Sequence, residues 1–260
     1  MKSLAQLPHD AVRSLVGVCF DVDDTVTTHG TLDPEAYAAM FALRASGLRL
    51  MAVTGRPLGF AEIIARTWPV DAAVGENGAG FITRAGQQLR TGYWDAVEVR
   101  VKQQAQLERI RQRVARELPD VHVSSDAWAR RCDLAFDVGE EASHTRSTID
   151  ALLALITDEG AHTNVSSIHA HAQLGDHDKA RGIALAARAL WGIDAPQSAF
   201  LFVGDSGNDA AAFSFFALTV GVANVRNHLD RLPTPPAYVT EASCGAGFAE
   251  LARALVRLRS

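Results

Sequence analysis

Three carboxylates, Asp21, Asp23 and Asp24, crowd into four residues directly after the apolar run Leu15 to Phe20. An unbroken run of that length reads as a fully buried strand, so the acids stand where the strand ends. Carboxylates this close repel one another unless a cation or a reacting group compensates them. An acidic cap on the following helix is the plain structural alternative, and it does not require three acids. Further polar groups follow other predicted elements: Thr54-Gly55-Arg56 after Leu48 to Val53, and Gly204-Asp205-Ser206-Gly207-Asn208-Asp209 after Ala199 to Val203. Lys179 opens a helix marked by Ile183, Ala187 and Leu190. In an open parallel sheet the carboxyl ends of the strands share one edge, where ligands bind. Carboxylates, one hydroxyl and one amine gathered there form the inventory of phosphoryl transfer. The acids hold a hard cation such as Mg²⁺. Cation, Lys and hydroxyl neutralise phosphoryl oxygens. A carboxylate facing phosphorus can attack it.

The elements that position these groups alternate between strand and helix, which predicts an α/β fold with a Rossmann-like parallel sheet. Asp33-Pro34-Glu35 supplies a helix start, with Asp33 at the N-cap, and Gly47 supplies the stop. A short strand is expected over Asp71 to Val74, ending in Gly75-Glu76-Asn77-Gly78. The middle of the chain changes character. Leu107, Ile110, Val114 and Leu118 fall at helical spacing, as do Ile149, Leu152, Leu153 and Ile156. Around them lie the strand-like pieces Val121 to Val123, Cys132 to Val138, Ala161 to Val165 and Ser167 to Gln173. This α-β-β-α-β-β order predicts an inserted α+β domain over residues 87–174, with residues 1–86 and 175–260 forming a discontinuous core. Leu218 to Val222 and Ala237 to Thr240 are further strand candidates, and Phe248 to Leu258 carry the stripe of a final helix.

The 260 residues, 48% hydrophobic and 21% charged, match an ordinary globular protein large enough for two cores. A net charge of −5 gives no general attraction to nucleic acid or an anionic membrane. No apolar stretch has the length of a signal peptide or membrane span. Three scattered cysteines read as reduced thiols, so the expected location is cytoplasmic. Oligomeric state is not legible.

Asp21-Val22-Asp23-Asp24-Thr25, Thr54-Gly55-Arg56, Lys179 and Gly204 to Asp209 resemble, in order, the four motifs of the haloacid dehalogenase superfamily. The resemblance implies Asp21 as nucleophile and Asp23 as general acid and base. It places Thr54, Gly55 and Lys179 around the phosphoryl group, and Mg²⁺ between Asp21, the Asp23 carbonyl and Asp205, supported by Asn208 and Asp209. A second acid two residues after the nucleophile favours phosphate-ester chemistry over dehalogenation, because an alkoxide needs a proton on leaving and a halide does not. Asp24 departs from the pattern, standing where the family often has Gly. The insertion looks like the IIB type of cap. That subgroup includes sucrose-phosphate, trehalose-phosphate and mannosyl-phosphoglycerate phosphatases, Cof-type phosphatases and phosphomannomutases. The implied activity is hydrolysis of a small phosphorylated metabolite, best a sugar phosphate, through an aspartyl phosphate. A phosphomutase and a non-enzymatic phospho-acceptor module are the alternatives. Arg56, Glu76, Asn77 and His171 are the candidates for substrate contact. His169, His171 and His177 could also be read as zinc ligands or as ordinary polar strand positions, and Arg130-Arg131 as a second anion site or solvated surface.

Overall fold

The apolar run after Ser14 emerges as the strand Gly17–Asp21, with all five residues buried. Gly17 is required there, since any side chain would collide with the carbonyl oxygen of Arg49 on the neighbouring strand. The protein, known from a computed structural model describing residues 1–165 and 168–260, places this strand at the centre of a nine-stranded sheet. On one side lie Phe200–Gly204, Leu218–Gly221, Tyr238–Val239 and Lys2–Ser3, all parallel. On the other lie Arg49–Val53 and Ala72–Gly75, also parallel, followed by the antiparallel strands Gly80–Ala85 and Gln88–Tyr93. Helices cover both faces, as the α/β reading expects. Pro34–Ala45, Leu58–Thr67 and Cys244–Arg259 pack around Phe20, Leu50 and Phe248, while Lys179–Trp191 covers Met51, Phe200 and Phe202.

Local signals held with small corrections. Pro34 opens its helix as expected, but Asp33 accepts the Thr28 hydroxyl at 2.6 Å instead of capping a backbone N–H. Asp178 does cap the Lys179 helix, accepting the Arg181 N–H at 2.8 Å, and Gly192 ends it in the left-handed region.

The insertion forms a small antiparallel sheet, ordered His162–Val165, His169–Gln173, Asp133–Asp137, under the helices Val97–Glu117 and Arg146–Asp158. Two expectations need correction. Residues 88–93, expected within the insertion, extend the large sheet instead, because the hairpin turn at Gly86 (φ +65°) folds them back on Gly80–Ala85. Val121 to Val123 contribute one isolated bridge, Val123 to Phe136, because the segment is too short to build a ladder. The start expected for the last small-sheet strand, Ser167, lies outside the described residues.

The register sorts the small sheet into two faces. Leu134, Phe136, Ala170 and Ala172 join Leu107, Ile110, Leu152 and Ile156 in a separate core. On the opposite face stand Asp133, Asp137, His162, Asn164, His169, His171 and Gln173, with Ala135 the one apolar member. This polar face forms the roof over the carboxyl edge of the large sheet.

Candidate active site

The ends of Gly17–Asp21, Arg49–Val53 and Phe200–Gly204 and the start of the Lys179 helix bring Asp21, Thr54, Asp205 and Lys179 to one edge, as the sequence order requires. Lys179 is nearly fully buried. Its Nζ lies 2.7 Å from Asp21 Oδ1 and 2.7 Å from Asp209 Oδ1. The other Asp209 oxygen accepts the N–H groups of Asp205 (2.9 Å) and Ser206 (3.1 Å), so this acid shapes the turn as well as pairing the amine. Asn208 accepts the Ser206 hydroxyl at 2.9 Å. Thr54 is buried, and its hydroxyl accepts the Arg56 N–H at 2.9 Å and lies 3.4 Å from Asp23 Oδ2. Gly55 and Arg56 line the same cleft of about 330 Å³ as Asp21, Asp23, Asp205 and Asn208.

The electrostatics of this edge are unbalanced. Donor oxygens of Asp21, Asp205 and Asp209 lie within 4.8 Å of one another. Burial pushes the Asp21 carboxyl up from 3.8 to about 7; the Lys179 charge opposes this, while Asp209 and Asp23 add to it. Burial pushes Asp205 up to about 9, with Asp21 and Asp209 reinforcing the rise. One amine thus faces more carboxylate than it neutralises. A cation in reach of Asp21 and Asp205 would restore both to their charged forms, so the donor set fits a hard divalent ion.

The departure at Asp24 has a backbone cause. Its φ is +52°, the left-handed region that glycine enters freely and Asp tolerates better than most residues. Its side chain accepts the His29 N–H at 3.3 Å, and its carbonyl accepts the Asn224 side chain at 3.0 Å. Asn224, which no motif in the sequence marked, also donates to Asp205 Oδ2 at 2.9 Å and accepts the Cys244 N–H at 2.9 Å. It ties two site loops together, and only the folded chain reveals it.

Glu76 is not placed to touch substrate. It is completely buried, and its carboxylate accepts the N–H groups of Leu58 (2.8 Å), Arg131 (2.8 Å), Cys132 (2.5 Å) and Asp133 (3.0 Å). It staples the edge of the large sheet to the small one. Glu76 and Asn77 both adopt φ near +50°, costing about 1–2 kcal/mol each, which these bonds help offset. Asn77 lies beneath a second cavity beside Lys179, His177 and Gln173. His171 does line the main cleft, but its Nδ1 is held by Asp133 Oδ2 at 2.8 Å. Arg130 is no anion site: its buried guanidinium meets Asp133 at 2.9 Å and Asp126 at 3.0 Å, and it also donates to the Gly55 carbonyl at 3.2 Å. Among the described residues, the metal-competent group is the Asp21, Asp205 and Asp209 set, and the histidines do not form one.

Residues 16–253 match the family model described as sucrose-6F-phosphate phosphohydrolase. No curated protein matches the chain. Among solved structures, a Thermoplasma acidophilum protein superposes with a TM-score of 0.72 at 16% identity, covering 94% of this chain and 99% of its own. The sucrose-phosphatase of a Synechocystis species, solved with sucrose and phosphate, gives 0.67 at 18% identity, with coverages of 94% and 98%. A Bacteroides thetaiotaomicron protein among haloalkanoate-superfamily phosphatases gives 0.63 at 19%, with coverages of 94% and 96%. At these identities the structural matches establish a common fold.

Proposed function

Because the chain belongs to the sucrose-6F-phosphate phosphohydrolase family, and so to the phosphatases of the haloacid dehalogenase superfamily, we propose that it hydrolyses a sugar phosphate with Mg²⁺ as cofactor. The observation that carries this reading is Lys179 clamped at 2.7 Å to both Asp21 and Asp209 beside the surplus acid Asp205. Asp21 and Asp205 would hold Mg²⁺, with Asp209 and Asn208 supporting the turn around them. When bound, the ion keeps the carboxylates ionised and draws charge from the phosphoryl oxygens.

In the first half-reaction an Asp21 oxygen bonds to phosphorus and the ester P–O bond breaks. Asp23 delivers its proton to the departing sugar oxygen. In the second, water bonds to phosphorus, the aspartyl P–O bond breaks, and the water's proton passes to Asp23. Thr54, Gly55 and Lys179 surround the phosphoryl group, and Lys179 also fixes the Asp21 rotamer. The insertion serves as a cap. Its roof lines the cleft with the imidazoles of His169 and His171, and such polar groups suit a polyhydroxylated leaving group better than an apolar alcohol.

The test is phosphate release from a panel of sugar and disaccharide phosphates. Release is expected with Mg²⁺, and is expected to vanish with EDTA or with Asp21→Ala. Metal-independent release, or full activity of that variant in a preparation free of other phosphatases, would overturn the reading.

A further inference from the structure

Glu140 occupies a loop with no recognisable motif, yet its position is heavily determined. The Asp137 carboxylate accepts the N–H groups of Gly139 (3.0 Å), Glu140 (2.8 Å), Glu141 (2.9 Å) and Ala142 (2.9 Å), wrapping the loop around one fixed anion. Glu140 is thereby presented to the main cleft, which it lines. Its Oε1 lies 3.1 Å from Arg56 Nη1, and its Oε2 lies 2.8 Å from Nε2 of the buried His169. The other edge of the Arg56 guanidinium, Nε, reaches Asp23 Oδ1 at 3.1 Å. A continuous chain of polar contacts therefore runs from the roof to the acid–base carboxylate: His169, Glu140, Arg56, Asp23.

The competing partners define what Glu140 does. Asp126 also approaches Arg56 Nη1, at 4.0 Å, but both its oxygens are taken by Arg130 at 3.0 Å. Glu140 therefore holds the Nη1 end of Arg56. With that end anchored, Arg56 offers Asp23 its Nε alone, and the second Asp23 oxygen stays on the Thr54 side of the cleft. Without the anchor, the guanidinium can turn to grip both Asp23 oxygens as a fork, the arrangement Arg favours with carboxylates. That grip would draw the acid away from the leaving oxygen. Misplacement by about 1 Å costs on the order of 10²-fold in rate.

We infer that Glu140 is a positioning residue, which from the roof and through Arg56 sets Asp23 for proton transfer; this rests on the phosphatase reading above. The test compares Glu140→Gln with wild type on a sugar phosphate and on p-nitrophenyl phosphate, whose leaving group departs without a proton. On the sugar phosphate, the variant should lose about 10–100-fold in kcat, with KM within about threefold. On the aryl ester, rapid mixing should still show one nitrophenolate released per enzyme at near the wild-type rate, followed by slow turnover, since only dephosphorylation there needs Asp23. Glu140→Asp, which keeps the charge on the same loop, should recover part of the loss. Disappearance of the aryl burst along with turnover would show a merely structural role. A rise in KM for the sugar phosphate alone would make Glu140 a substrate contact. Either result overturns the inference. Wild type that releases phosphate from neither ester would instead overturn the phosphatase reading itself, and this inference with it.

Discussion

The catalytic edge and the roof above it both bury charged groups, and they treat that charge in opposite ways. At the edge, Asp21, Asp205 and Asp209 share the single amine of Lys179, and burial drives Asp21 to about 7 and Asp205 to about 9. In the roof, Asp133 is just as buried, but the Arg130 guanidinium and the His171 imidazole outweigh that burial and hold its carboxyl below the ordinary 3.8. One region keeps an excess of carboxylate that a cation can resolve. The other has settled its charges internally and uses them for geometry. Buried charge alone therefore does not mark a site; its lack of compensation does.

The contrast can be broken most decisively at Asp21. Asp21→Asn is expected to lose at least about 10⁴-fold in phosphate release while leaving stability unchanged or raised, since it removes one of the crowded acids. Asp133→Asn should do the reverse. Breaking a buried pair costs about 3–5 kcal/mol, read by urea unfolding, and a loss under about 1 kcal/mol would show that the roof charges are not holding the fold.

Metal removal probes the excess itself. Mg²⁺ at about 100 times its Kd should stabilise the EDTA-treated protein by about 2.7 kcal/mol, seen as a higher Tm, and no shift would show that the folded state does not bind the ion preferentially. The pH dependence should differ in sign between the regions. Asp21 and Asp205 have raised values, so in the metal-free folded protein they bind protons that the unfolded chain has released. Their contribution to stability is full below 3.8 and is lost as pH rises through about 7 and about 9. Asp133 is lowered, so its contribution is full above 3.8 and is lost as pH falls below that value. Unfolding in EDTA should therefore show stability falling from pH 5 to pH 9, and Asp205→Asn should flatten that slope. The smallest effect is expected at the cleft-facing roof. His171→Ala should raise KM for a sugar phosphate by about tenfold, roughly 1.4 kcal/mol, with little change for an aryl phosphate; equal changes for both would deny the roof a part in specificity.

Much of the edge was legible before folding because its signals are local. Apolar runs ending at Asp21, Val53 and Val203 mark the strands, and the apolar spacing after Lys179 marks its helix. The last two strands next to Ala72–Gly75 were harder. Gln88–Tyr93 has no fully buried residue, offers only Leu89 and Tyr93 to the core, and is defined by its ladder with Gly80–Ala85. The task of Glu76 is not legible in the sequence, since a carboxylate surrounded by four N–H donors looks no different there from one facing a ligand.

By itself, then, the amino-acid order determined the parallel core and the residues standing at the strand ends, because strand and helix periodicity act over a few residues. Tertiary structure alone decided the partnerships. Lys179 meets Asp21 across 158 positions, Arg56 meets Glu140 across 84, and Asn224 meets Asp205 from a 3-10 helix without a motif. Such pairings depend on strand order, register and loop closure, which short-range patterns leave open. The uncompensated charge at the edge and its compensated counterpart in the roof exist only once those pairings are made.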